Sequence, residues 1–364
     1  MKDKNKDIFI SVMFFGFLIT VFFLQIIILD KEISNSERRK LQQFPSLNIT
    51  NLKTGNFTKE FDKYVIDQFA FRDIFLNIKS FFEFNLLNKK DNNGYFIKNN
   101  MIFKNEMILN ENSVINLTNK INNIKDKYLT TNNLVYYSII PNKNYYLKDK
   151  NYLKLDYKKI EEIMNNKLLD INYISIFDKL YLEAYYKSDI HWDQIKILDV
   201  SNVLLSNMGK TFDYNLFNKT NCQVKLYGSY SHQMPYFMKS DNLCYFTNDV
   251  INNAKTYNVL TNEISLVYNL DKKDSVDRYD IFISGAAPII EITGNSKETK
   301  ELIIFRDSFA SSIAPLMLNS YKKITLVDTR YINPNLIGEY IDFNDQDILF
   351  LYSFAIINNS YVLK

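Results

Sequence analysis

The sequence predicts an α/β domain built on a mostly parallel sheet and preceded by an N-terminal transmembrane helix. Three observations carry this. Continuous apolar runs of about five to eight residues alternate with helix-patterned segments, as expected of strands buried on both faces. Residues Ile8 to Leu29 carry no charge. The composition, 46% hydrophobic and 23% charged over 364 residues, is that of a globular chain with a buried core.

The apolar N-terminal stretch, roughly 22 residues, spans about 33 Å as a helix, enough for a bilayer core. Lys2, Lys4 and Lys6 precede it, which favours a cytoplasmic N-terminus. Lys31, Arg38, Arg39 and Lys40 follow it and blur that signal. A cleaved signal peptide is the competing reading, but Gln25-Ile26-Ile27-Ile28-Leu29-Asp30 offers no small-residue cleavage site. The retained anchor is therefore expected: residues 1–30 as cytoplasmic tip and membrane span, and everything after Asp30 outside the cytoplasmic membrane.

Residues 31–95 read as a helical juxtamembrane segment that packs on the main domain. Phe61, Val65, Phe69, Phe75, Ile78 and Phe81 recur at mostly three- and four-residue intervals, so an amphipathic helix or a pair of them is expected. Packing on the main domain is favoured over membrane contact. Asn92-Asn93-Gly94 marks a turn, and Tyr95–Ile97 with Met101–Phe103 form a hairpin.

The main domain is expected over 96–364. Its strand candidates are Asn133–Ile140, Ile174–Phe177, Asp280–Ser284, Glu301–Phe305, Lys323–Val327 and Asp347–Tyr352. Helices are expected over Lys158–Leu169, Trp192–Met208 and Phe309–Leu318. A β excursion near 222–250 carries Tyr and Phe among turn residues. Its two cysteines, Cys222 and Cys244, are the only ones in the chain. They can pair in an oxidising compartment or remain two isolated thiols.

A net charge of +3, with both signs interspersed, argues against a nucleic-acid surface. No His or Cys cluster has the spacing of a zinc site, and no cofactor is expected.

The chemistry concentrates in two segments. Asp189-Ile190-His191-Trp192 holds the only tryptophan and one of two histidines. An acid two residues from an imidazole can orient it as a general base for a hydroxyl. The matching hydroxyl is Ser308, just past the strand 301–305, where the helix that follows directs unpaired N–H groups toward an oxyanion. The alternatives are structural: Asp307 or Ser308 as a helix cap, Asp189 as a cap, and Trp192 as core.

Ser188-Asp189-Ile190-His191-Trp192 resembles the signature of the DHHW-motif family, which is similar to the AlgX/AlgJ-like O-acetyltransferases of SGNH-hydrolase fold. Further segments match in the same order. Ser36–Leu41 with Phe44-Pro45 is similar to the family's opening segment. Asp67-Gln68-Phe69-Ala70-Phe71-Arg72-Asp73 resembles a segment in which Pro is usual at the position of Ala70. Tyr227-Gly228-Ser229-Tyr230, Asp307-Ser308-Phe309 and Val327–Tyr331 complete the series.

The resemblance implies a three-layer, permuted, flavodoxin-like SGNH sheet with Asp189 as orienter, His191 as base and Ser308 as nucleophile. It also marks Arg330, Gly228, Ser229 and Trp192 as candidates for oxyanion or substrate contact. For Arg330 a structural ion pair is the alternative, and for Gly228-Ser229 a simple turn. Two departures stand out. Ile190 replaces a frequent histidine, and Ser284-Gly285-Ala286-Ala287 lacks an asparagine that relatives often carry there.

The implied function is O-acetylation of a cell-surface or exported polysaccharide, with a polytopic membrane acyltransferase supplying acetyl groups. An esterase with the same triad and a non-catalytic polysaccharide-binding protein on the same fold are the alternatives.

Overall fold

The computed structural model describes residues 2–34, 37, 39–106, 108–148 and 155–364. Ser36 and Arg38 of the family-like opening segment lie outside them. Two compact units are present: Met1–Asn93 with Ser231–Met238, and Gly94–Tyr230 with Lys239–Lys364.

The first unit begins with α1 (Lys2–Ile27), whose apolar side chains are exposed along its length. Within it, Lys4–Ile27 is long and apolar enough to cross a membrane. Strands β1 (Ile33–Ser34) and β2 (Arg39–Lys40) pair antiparallel. Helices α2 (Ile49–Lys53), α3 (Asn56–Asp67) and α4 (Arg72–Asn85) follow, so the periodic segment is a helix pair broken at residues 68–71.

Two family-like segments meet here. The Arg39 guanidinium forks onto both oxygens of Asp67 (2.7 and 2.6 Å), and Arg72 Nη1 donates to Glu37 (2.5 Å). The Arg39 hydrogen bond holds the Asp67 carboxyl below its ordinary pKa.

The second unit opens with the hairpin β3 (Tyr95–Lys98) and β4 (Met101–Lys104), turned by Asn99 and Asn100, both at positive φ. Then come α5 (Glu111–Tyr128), β5 (Val135–Ile140), α6 (Tyr157–Lys167), β6 (Asn172–Tyr173), α7 (Leu198–Asn207), β7 (Lys219–Leu226) and β8 (Asp241–Thr247), with α8 (Ser229–Gln233) between the last two and its residues 231–233 belonging to the first unit. The remainder is α9 (Asp249–Asn253), β9 (Lys255–Asn258), β10 (Glu263–Leu266), β11 (Ile289–Thr293), β12 (Glu301–Arg306), α10 (Ala310–Met317), β13 (Lys323–Val327), β14 (Asp347–Ser353) and α11 (Phe354–Ile357).

Eight strands form one sheet in the order β10-β9-β11-β13-β12-β14-β5-β6. The half from β13 to β6 is parallel, and β11, β9 and β10 add an antiparallel edge.

Strand alternation sorts the core into two sides. Ile303, Phe305, Ile348 and Phe350 pack with Val114, Leu117 and Ile121 of α5 and Ile160 and Met164 of α6. Leu302, Ile304, Leu349 and Leu351 pack with Ile313 and Met317 of α10 and Leu204 and Leu205 of α7. This is the three-layer α/β arrangement expected.

Several boundaries differ. Asp280–Ser284 is not a strand. Residues 278–281 form a 3-10 turn begun by the Asp277 carboxylate, which accepts from Tyr279 N–H at 3.1 Å, and Ile283 and Ser284 take left-handed φ values of 53° and 64°. Ile281, Phe282 and Ile283 are buried, so the apolar run is real but packs as a turn. The strand expected at Ile174–Phe177 is only Asn172–Tyr173, with a last bond from Ile174 N–H to the Tyr137 carbonyl (2.9 Å). The helix expected from Trp192 starts at Leu198, after a 3-10 turn over Gln194–Lys196. The β excursion is the β7–β8 hairpin, and Cys222 and Cys244 are joined by a disulfide across it.

Candidate active site

Ser308 sits in the turn between the carboxyl end of β12 and α10, where open parallel sheets gather their functional groups. The turn is fixed by Asp307. One of its carboxylate oxygens accepts from Phe309 N–H (3.0 Å) and the other from Ser353 N–H (2.7 Å) at the end of β14. Asp307 thus holds the turn ahead of α10, which has no side-chain cap, and the Ser308 hydroxyl is left to point elsewhere.

That hydroxyl lies 2.7 Å from His191 Nε2, and His191 Nδ1 lies 2.6 Å from Asp189 Oδ1. The three side chains expected to act together therefore form a continuous hydrogen-bonded chain. Asp189 is fully buried and His191 nearly so. The second Asp189 oxygen accepts from Ser229 N–H at 2.6 Å, and Oδ1 also accepts from His191 N–H at 2.9 Å. The imidazole lies flat against the Tyr279 ring, centroids 4.0 Å apart and planes 9° apart. Such a face is a favourable neighbour for a ring that acquires positive charge.

The loop holding Asp189 is clamped from several sides. Ser188 N–H and Oγ donate to Asp241 Oδ2 (3.0 and 2.8 Å) at the start of β8. Gly228 N–H donates to Ser188 Oγ (3.2 Å) and Tyr230 N–H to the Ser188 carbonyl (3.0 Å). A Cβ on Gly228 would fall 2.0 Å from that carbonyl oxygen, so glycine alone permits the approach. Gly228 and Ser229 thus reach the site through their backbone, as supports for Ser188 and Asp189.

Lys143 was not among the residues singled out by sequence. It follows β5, is fully buried, and its ammonium donates to the carbonyls of Tyr186 (3.0 Å), Lys187 (3.1 Å) and Asp189 (2.9 Å). Burial pushes its pKa down to about 7, against the upward pull of the Asp189 and Asp241 carboxylates. The available signal was its place just beyond the carboxyl end of a parallel strand.

Trp192 lies in the core behind the serine. It is fully buried, its Nε1–H donates to Ser312 Oγ (2.8 Å) on α10, and its ring packs edge-on against Phe309. It joins the histidine loop to the helix behind the serine.

Arg330 lies beside Asp328 in a two-pronged ion pair, Nε to Oδ1 2.9 Å and Nη2 to Oδ2 2.6 Å. Burial lowers its pKa, but the Asp328 contacts outweigh that and raise it overall. Arg306, at the end of β12, is buried, unlike the half-buried Arg330, and donates through Nη1 to Ser311 Oγ (2.9 Å). The segment Ser284–Ala287 adjoins the end of β13, because the Pro288 carbonyl accepts from Asp328 N–H (2.9 Å).

No protein-family model matches the chain, and no curated protein matches it. Solved structures do. A DHHW family protein from Eubacterium siraeum is 17% identical with a TM-score of 0.60, over 75% of this chain and 94% of that one. PatB1 from Bacillus cereus is 19% identical with a TM-score of 0.60, over 72% and 97%. PatB1 with a sulfonyl adduct gives 18% and 0.59 over the same shares. At such identities the likeness speaks for the fold. The chain therefore has the α/β fold of the DHHW family protein and PatB1, with an apolar N-terminal helix ahead of it.

Proposed function

We propose that this chain is a membrane-anchored, extracytoplasmic O-acetyltransferase that modifies a cell-surface or exported polysaccharide through an acyl-serine intermediate. The observation that carries this reading is the unbroken chain from Ser308 Oγ through His191 to the buried Asp189 carboxylate.

In that reading His191 holds its proton on Nδ1, donated to Asp189, and accepts from Ser308 through Nε2. As Ser308 Oγ attacks an acyl carbonyl carbon, its proton passes to Nε2, and Asp189 and the Tyr279 face stabilise the imidazolium. The Phe309 N–H is taken by Asp307, so the Ser308 N–H is the main-chain donor left in this turn for the oxyanion. Collapse expels the donor's leaving group, which takes the proton from Nε2. A sugar hydroxyl then gives its proton to Nε2 and attacks the acyl-serine, and the proton returns to Ser308 as the ester product leaves.

Acetyl-CoA is cytoplasmic, and one apolar helix cannot pass acetyl across a bilayer. The reading thus calls for a polytopic acyltransferase as donor.

The test uses the full chain in detergent with an activated acetyl ester, with and without an acceptor oligosaccharide. Acetylated oligosaccharide, together with an acetyl or sulfonyl adduct mapped to Ser308, is the expected result. Free acetate alone would make the protein an esterase. Undiminished polysaccharide acetylation in cells carrying Ser308→Ala would make it a binding or assembly protein.

A further inference from the structure

Helix α4 is built the wrong way round for water. Ser80 is its buried residue, which sets the inward face. The opposite face carries Ile74, Phe75, Ile78, Phe81 and Phe82, all exposed and spaced to form one stripe. A surface helix normally presents polar residues there, and an apolar patch of this kind marks a contact surface.

The start of this helix is fixed against the end of α1. Gln25 lies inside the apolar run Ile8–Leu29, four residues before its end, about 6 Å along the axis. Its amide nitrogen donates to the Gln68 carbonyl and its oxygen accepts from Ala70 N–H, both at 2.8 Å. A proline at position 70 could not make the second bond. Gln68 in turn exchanges two bonds with the Lys31 backbone (3.0 Å each), and Tyr64 OH reaches Asp30 (3.1 Å). The corner before α4 therefore stands level with the last turns of the apolar run.

The corner itself is apolar and strained outward. Phe71 adopts left-handed φ of 59° and ψ of 23°, an uncommon state for an aromatic residue, yet the residue is 50% exposed. Phe69 beside it is exposed too, as are Ile26, Ile27 and Leu29 of the anchor. Among the described charged groups beside the corner, Arg72 pairs with Glu37 and Lys31 with Asp73.

We propose that the corner at Phe69–Phe71 and the apolar stripe of α4 are seated in the interfacial layer of the bilayer that α1 crosses, against lipid acyl chains. Continuity selects this occupant. The patch runs on from the exposed end of the membrane helix, and a run roughly 33 Å long in a core about 30 Å thick puts Gln25 about 3–6 Å inside the boundary. The proposal rests on α1 spanning the membrane, and stands apart from the chemistry assigned to Ser308.

The chain's only tryptophan, Trp192, is buried, which gives a quiet background for the test. Full-length Ile74→Trp, Phe75→Trp and, as an anchor control, Phe14→Trp are reconstituted in phosphatidylcholine–phosphatidylglycerol vesicles with acyl chains brominated near the headgroup. The expected result is a blue-shifted added emission, quenched about twofold at positions 74 and 75, as for an interfacially seated side chain, with Trp192 itself unquenched. Quenching at 14 without quenching at 74 and 75 would overturn the proposal and leave the stripe for a protein partner. No quenching at 14 would overturn it through the anchor. Two substitutions one residue apart guard against a local folding defect at either.

Discussion

The ammonium of Lys143 lies 2.9 Å from the main-chain oxygen of Asp189, the residue whose carboxylate holds His191. One buried cation thus gathers three carbonyls of the loop on which the imidazole depends. Lys143→Met keeps the stem and removes the donors. Activity toward an activated acetyl ester should fall about ten- to hundredfold through displacement of the loop, read as kcat with KM measured alongside.

The same lysine gives a pH signature. Its folded pKa, about 7, lies below the ordinary lysine value near 10.5. Between those two values the unfolded chain binds the extra proton, so this group's contribution to stability rises with pH across that window. Thermal unfolding of the wild type followed at Trp192 should show that rise, and Lys143→Met should lack it.

Gly228→Ala places a methyl 2.0 Å from the Ser188 carbonyl, in a region where backbone rather than a flexible side chain must yield. A cost of about 1–3 kcal/mol is expected from overpacking. Labelling of Ser308 by a sulfonyl reagent should slow more than the stability change alone would explain, because Ser229 N–H and Asp189 move together. Equal labelling rates for the variant and wild type would contradict this.

Arg330 distinguishes a structural partner from a substrate contact. Arg330→Met leaves the fully buried Asp328 without its pair, a loss of about 3–5 kcal/mol by precedent for broken buried pairs. Adding Asp328→Asn should recover much of that. If the double variant regains stability and activity together, Arg330 serves the fold; stability without activity would mark it as touching substrate.

Replacing both Cys222 and Cys244 by serine opens the β7–β8 hairpin. A loss of about 3 kcal/mol is expected for a loop of this length. Reductant should reproduce it in the wild type and leave the variant unmoved, as read by the same fluorescence transition.

The sequence exposes the candidate site residues far better than their supports. His191, Trp192 and Ser308 stand out because histidine and tryptophan are scarce in this chain and because Asp-x-His and the strand-to-helix serine carry recognisable chemistry. Lys143 is one lysine among many, and only the topology buries it. Asp280–Ser284 looks like a strand because a buried apolar run reads alike whether it pairs in a ladder or packs as a turn. The antiparallel edge escapes for the opposite reason: Lys255–Asn258 and Glu263–Leu266 are short and carry polar residues at exposed positions. The segments around Arg39 and Asp67 are visible separately, but nothing in their spacing announces the ion pair between them.

Ser308 hangs from β12, which has parallel neighbours on both flanks and three strands or more between it and either margin of the sheet. Transient breathing starts at margins, where fewer ladder bonds must part. The hydroxyl is thus suspended from the portion of the protein that opens last, and fraying at β10 or β6 leaves it undisturbed. Amide hydrogens of Ile303 and Ile304 should be among the slowest in the chain to exchange with heavy water.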